Sequence, residues 1–275
     1  MKHLVLALMS MCLSCLTFSQ RLDVVPFTGS ETSGYVSSYI LTSGRESILI
    51  DAPMSTKDTR RLVDTITRLN RHLKAVLITH SHPDHYLGAS EIRKAFPSIK
   101  IMATHDVAIE MATTAPAQYQ YYKTILGDDM PGAVVLPDST VGELITLGNV
   151  NIQVRSFTNG EAENAVILYE PKQRLLFAGD IVTHRIHLNM IDQRLDGWLG
   201  HLLELKKYDV YRLYPGRGEP GDESLINNCI NYMETFRKSL ITNDPRAIVD
   251  IMNYYFPGYL MQGNLRASVN KLLPK

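Results

Sequence analysis

The sequence predicts an α/β chain, and three features carry that expectation. Short apolar, β-branched runs alternate with segments of helical period in the first hundred or so residues, turn-separated strand pairs follow, and helical patterns return after Asp196. A chain of 275 residues with 45% apolar content is long enough to bury a sizeable core. Its 28 basic and 28 acidic residues leave no net charge to draw nucleic acid or an anionic membrane surface. Function is therefore expected to rest on a local site for a small-molecule substrate, with no nucleic-acid partner, and the oligomeric state is left open.

The first stretch, "MKHLVLALMSMCLSCLTFSQ", has a basic start at Lys2, an apolar run from Leu4 to about Leu16, and small residues at Thr17 and Ser19. This pattern fits a secretory signal over residues 1–19, cleaved before Gln20, which predicts a periplasmic or secreted protein and leaves 20–275 as one domain. The apolar run is shorter than the ~20 residues of a spanning helix, so no membrane span is expected in the mature chain. Cys12 and Cys15 lie in this segment, leaving Cys229 alone, without an intramolecular disulfide and expected to be a buried small hydrophobe.

Tyr35 to Leu41 and Ser47 to Ile50, with a Ser-Gly turn between them, predict a hairpin. Leu62, Val63, Ile66 and Leu69 then recur at helical spacing behind Ser55, a helix-capping residue type. "LKAVLITH" predicts a buried strand, "YLGASEIRKAFP" a helix stopped by Pro97, and "IKIMATH" another strand. From 106 to 138 a helix around Val107 to Ala112 is expected to give way to an irregular Tyr-rich segment bordering the site. "GELITLGNVNIQVRSF" and "NAVILYEPKQRLLFAGD" each predict a strand pair across a turn. A short strand at "VYRLYP", a long helix from about Glu223 to Leu240 and a last helix near Leu265 to Leu273 complete the expectation, and Trp198 is placed in the core.

The chemistry concentrates in "LITHSHPDHYLGA", residues 77–89, where His80, His82, Asp84 and His85 crowd the exit of a predicted strand. A rigid sheet can fix side chains that project from such a loop. Neutral imidazoles with a carboxylate are a zinc donor set, with nitrogen at roughly 2.0 to 2.1 Å from the metal. A metal ion is the expected occupant.

The run "THSHPDH" resembles the signature of the metallo-β-lactamase superfamily. Other parts follow in that family's order: "ILIDAP" upstream, "LLFAGD" downstream, and "LYPGRGEPG" where relatives carry a Gly-His-Gly turn. The resemblance, from about Val24 to Pro220, implies a four-layer αββα sandwich with the site at one edge between two mixed sheets. It implies that His80 and His82 belong to a first metal site, and Asp84, His85 and the bridging Asp180 to a second. Two positions depart from the pattern. Where relatives place a third histidine of the first site this chain reads "NGEAENAV", and Glu163 is the expected ligand there, with Glu161 as a rival two positions away. A two-histidine, one-glutamate set is a known zinc arrangement. Where the last histidine of the second site belongs stands Arg217, whose guanidinium has no lone pair to offer a cation.

The expectation is thus one firmly held zinc at His80, His82 and Glu163, with the second position weak or absent. Arg217 would reach Asp84 and Asp180 and bind a substrate anion; the alternative has it facing solvent, with His184 or His187 supplying the missing nitrogen. His187 is otherwise expected to border the substrate pocket. Zinc lowers the pKa of bound water toward ~7, so the implied reaction is hydrolysis of an amide, ester, sulfate or phosphate, with Asp84 as the catalytic carboxylate that orients the nucleophile. Two other readings stay open: a catalytically weak or inactive metal-binding or sensory protein on the same fold, and thioester hydrolysis of the glyoxalase-II kind.

Overall fold

The computed structural model describes residues 21–273, so the predicted signal segment lies outside the described residues. Strands β1 (Asp23–Thr28), β2 (Ser37–Ser43) and β3 (Glu46–Ile50) run antiparallel in sequence order. Helix α1 (Thr56–Leu69) crosses to β4 (His72–Leu77), parallel to β3, and α2 (Ala89–Ala95) crosses to β5 (Lys100–Ala103). The long α3 (His105–Leu126) leads to the short β6 (Ser139–Thr140), completing a six-stranded sheet in chain order. Strands β7 (Leu144–Leu147), β8 (Val150–Thr158), β9 (Asn164–Glu170) and β10 (Leu175–Thr183) then form an antiparallel series. Helix α4 (Leu195–Leu205) crosses to β11 (Arg212–Arg217), parallel to β10, giving the order β11-β10-β9-β8-β7. Helices α5 (Ser224–Ser239), α6 (Pro245–Tyr255) and α7 (Gln262–Leu272) follow.

Side-chain alternation along the strands stacks these elements into four layers. Tyr39 and Leu41 of β2, Ile48 and Ile50 of β3, and Leu175 and Phe177 of β10 meet in an apolar layer between the two sheets. Their neighbours Ile40 and Leu49 face the opposite way, onto Leu62 and Ile66 of α1, Ile92 of α2, and Val107 and Met111 of α3. Leu176 and Ala178 face the other helical layer, which includes Trp198 and Leu202 of α4 and Met233 and Phe236 of α5. Helices, sheet, sheet, helices is the αββα order that the resemblance implied.

Local chemistry explains the boundaries. The Ser55 side chain accepts from Asp58 N and caps α1, and Asn70 ends it in the left-handed conformation at φ 50°. Two helical segments differ from expectation. The Tyr-rich stretch is helical through Leu126, despite Pro116, because Tyr119, Tyr122 and Leu126 recur at helical spacing and pack half-buried on the α1–α3 layer. Their partly polar side chains hide that period. Helix α6 went unanticipated although Asp244 caps it, accepting from Arg246 N, and Pro245 occupies its first turn.

Candidate metal centre

Both sheets bring the C-terminal ends of a parallel strand pair to one edge. Single bridges between His80 and Ala165 and between Val36 and Arg217 tie the two sheets there. The loop after β4 carries His80, His82, Asp84 and His85; the end of β10 carries Asp180; β11 ends on Arg217. A register shift in β10 between Phe177 and Gly179, with Gly179 at φ 51°, re-aims the strand just before Asp180. Gly216 must be glycine, since a Cβ there would collide with the Asp180 carboxylate.

His80, His82, Glu161 and Asp180 gather so that one donor atom from each lies within 4.8 Å of all the others. Three buried atoms in this group have no hydrogen-bond partner: His80 Nε2, Glu161 Oε2 and Asp180 Oδ1. Unsatisfied buried nitrogen and carboxylate oxygens are rare and unfavourable. Here two acidic oxygens and an imidazole nitrogen share one space, a donor set that a divalent cation satisfies at once. The residues fit a metal ion.

Hydrogen bonding fixes His80 in the ligand form. The Thr79 hydroxyl donates to Asp51 Oδ2 at 2.8 Å, so its oxygen accepts from His80 Nδ1–H at 2.9 Å and the lone pair is left on Nε2. Burial, and then the neighbouring His85, lowers the His80 pKa to about 4, keeping the ring neutral. Asp51, at φ 55°, also accepts from Thr79 N and His85 Nδ1, so it orients the site from beneath with both oxygens engaged. His82 differs: burial opposes its charge, but Glu161 Oε1 at 3.2 Å and Asp192 outweigh that and hold its pKa well above the ordinary value. Burial likewise works against the Glu161 carboxylate, yet His82 and His80 keep its pKa low.

The glutamate in this cluster is Glu161, and the expectation for Glu163 is corrected. Glu161 is 6% exposed, whereas the Glu163 side chain is 58% exposed and pairs with Arg194 at 3.4 Å. Asn159 N bonds Glu163 O at 2.9 Å and closes the turn, making Glu163 the last residue before β9 and leaving Glu161 at the inward-folded tip. Arg194 grips that tip, donating from Nε to Gly160 O at 3.0 Å.

Asp180 belongs to both halves of the site. Its Oδ1 faces the four-residue cluster unpartnered, while Oδ2 receives Arg217 Nε and Nη2, both at 2.8 Å. Arg217 Nη2 also lies 2.6 Å from Asp84 Oδ2 and 3.3 Å from His85 Nε2. A guanidinium nitrogen thus sits at the centre of the three side chains that the resemblance assigned to a second metal. The cradle is built for it: Gly34 carbonyl accepts from Nη1 at 2.8 Å, and a Cβ on Gly34 would strike that nitrogen. Burial disfavours charge on His85, but Asp180 and Asp51 prevail and raise its pKa to about 10, so its nitrogens are donors to those carboxylates. Asp84 and Asp180 stay ionised because Arg217, and then His85, overcome their desolvation.

One expectation about substrate contacts changes. Arg217 was read as an anion binder; each of its three nitrogens donates to one of this chain's own acceptors, and Asp84 and Asp180 meet its charge. His187 stands in the cavity wall, as expected, while Nδ1 meets Tyr232 Oη and Nε2 meets Gln262 Nε2, both at 2.8 Å, so neither nitrogen is offered as the alternative metal ligand. His184 is tied to Glu219 O at 2.8 Å and supplies no ligand. Cys229 is buried, as expected, with its thiol pKa pushed up to about 11 by desolvation. The cavity above the cluster holds about 600 Å³, and α3 lines one side with Glu110, Thr114, Gln118, Tyr121 and Tyr122.

An αββα sandwich with a histidine–carboxylate cluster at the sheet edge defines a metallo-hydrolase class of fold. The family model described as the metallo-beta-lactamase superfamily matches residues 32–217, and the chain belongs to that superfamily, whose members are mostly metal-dependent hydrolases. A Beta-lactamase-like protein 2 homolog from Caenorhabditis elegans is 25% identical over 217 residues, 76% of this chain. The match spans 63% of that relative's length. Among solved structures, a metallo-beta-lactamase from Pontibacter korlensis superposes with a TM-score of 0.60 at 21% identity, over 78% of this chain and 99% of its own. A beta-lactamase domain protein from Burkholderia ambifaria gives 0.68 at 17% identity, over 92% and 86%.

Proposed function

We propose that this chain is an exported zinc-dependent hydrolase that works with one metal ion, held by His80, His82 and Glu161 with Asp180 Oδ1 beside them. The observation that carries the reading is the shared space of three unpartnered buried donor atoms next to a second position filled by Arg217. Zinc bound there would supply Lewis acidity and lower the pKa of water toward ~7. Asp84 lines the cavity, and only its Oδ2 is committed to Arg217, so Oδ1 is available to accept a hydrogen bond from the attacking water. Because Arg217 holds the Asp84 pKa low, Asp84 stays a carboxylate and would act by accepting the hydrogen bond that orients that water. Export rests on the N-terminal sequence pattern alone, and a mature N-terminus at Gln20 in the secreted or periplasmic fraction would support it.

The test is a panel of chromogenic ester, amide, cephalosporin, phosphate and sulfate substrates, with zinc-loaded and chelator-stripped protein. Turnover of at least one class that disappears on stripping and returns with zinc is expected. Turnover unaffected by stripping contradicts the proposal. The Arg217 lock also favours a second reading, a metal-binding protein with little or no catalysis; tight zinc binding without turnover of any class would select it.

A further inference from the structure

We infer that the substrate carries no anionic group and that a positive charge on it improves binding. The inference rests on the hydrolase reading of this same cavity. Six carboxylates line it, Glu31, Asp84, Glu110, Glu161, Asp180 and Asp192, against two guanidiniums, Arg194 and Arg217. A divalent ion among the ligands still leaves the lining two charges negative. The distribution matters more than the count. Arg217 is consumed by Asp84, Asp180 and Gly34 O. Arg194 is consumed by Glu163, Asp192 and the carbonyl oxygen of Gly160. His82 stands between Glu161 and Asp192.

The acidic side has spare capacity. Glu110 accepts only from the neutral groups Ser81 Oγ at 2.6 Å and Asn164 Nδ2 at 2.9 Å, and exposed Glu31 has no side-chain partner among the described residues. A substrate carboxylate, phosphate or sulfate would enter with no uncommitted cation to receive it apart from the metal. An ammonium group would meet two carboxylates without cationic partners and the lining residues Tyr121 and Tyr122.

The experiment uses three p-nitrophenyl esters of similar length, the uncharged butyrate, the anionic hemiglutarate and the cationic 4-trimethylammoniobutyrate, with the corresponding uncleavable ketones. Zinc-loaded protein is assayed for kcat/KM on the esters. Ketone binding is read from quenching of Trp198, the single tryptophan, which lines the cavity, with and without zinc. The order cationic, uncharged, anionic is expected in both series, with at least about tenfold between the extremes and a smaller gap in 1 M salt. Glu31→Lys should narrow the gap. An anionic member equal to or better than the cationic one, in either series, overturns the inference. Ordered ketone binding without cleavage of any ester leaves the inference standing and counts against the hydrolase reading. Ester cleavage without the order does the reverse, and failure to bind or cleave any of the six overturns both.

Discussion

Thr79 is a small residue with a large say in the metal centre. Its single hydroxyl proton goes to Asp51, which forces His80 to donate through Nδ1 and present Nε2 to the cluster. Thr79→Val keeps the shape and removes both bonds, so zinc affinity should fall on the order of 10- to 100-fold, while Thr79→Ser restores most of it; competition with a chromogenic chelator measures both. Asp84→Ala should lower kcat on the order of a hundredfold or more with the circular dichroism spectrum unchanged, and an unaltered rate would remove Asp84 from the mechanism. At this scale the sequence was informative but incomplete. The density of "THSHPDH" identifies a metal-binding run, and the absence of a lone pair on Arg217 is evident from its chemistry alone. The choice between Glu161 and Glu163 was not legible, because it depends on where the 159–163 turn closes and on Arg194 drawing Glu163 outward, a contact from 31 residues away.

The 159–163 loop is the element on which the ligand set depends, and it is held from three sides. Arg194 donates to Gly160 O, the His201 ring fills the space beside Gly160 that a Cβ would occupy, and Gly197 lets α4 approach the Asn159 carbonyl. Gly197→Ala would press a methyl group into that carbonyl. The expected result is a loss of about 1–3 kcal/mol of stability, seen in denaturant melts, with weaker zinc binding as Glu161 shifts; unchanged values for both would show that the loop does not depend on α4. Strands and their turns were readable from period-2 patterns and Gly-Asn or Pro-Lys-Gln-Arg turns. Helix α3 was only half readable, since its second half buries tyrosines, which score as polar or apolar according to their surroundings.

Over the whole molecule, the two apolar layers outside the sheets and the one between them explain why a near-neutral chain can bury so many charges at one edge: the cores fix the frame, and the buried charges of Asp84, His85, Asp180 and Arg217 gather at the rim between sheets. The C-terminal helices complete that frame. Leu260 O accepts from His187 N at 3.0 Å, Asn264 Nδ2 donates to His187 O at 3.1 Å, and Met261 and Asn264 line the cavity beyond the residues matched by the family model. His187, buried in this junction, has its pKa lowered from 6.5 to about 4 by desolvation. The unfolded chain therefore binds an extra proton between those values, so this contribution to stability is complete above about pH 6.5 and is lost as pH falls toward 4. Thermal melts at pH 7 and pH 5 should show a smaller pH-dependent drop for His187→Gln than for the natural chain, and an identical drop would contradict the assignment. The four-layer order itself was legible through the family resemblance. The alternation of strands and helices alone supports only an α/β class, because which face of a sheet a helix covers depends on connections that periodicity does not encode.

The proposed site has a single metal position beside a guanidinium that occupies the place of a second. Zinc content of reconstituted, desalted protein, measured by elemental analysis, tests it most directly. One zinc per chain is expected, lost in Glu161→Gln and kept in Glu163→Gln; two tightly held zinc ions per natural chain would contradict it.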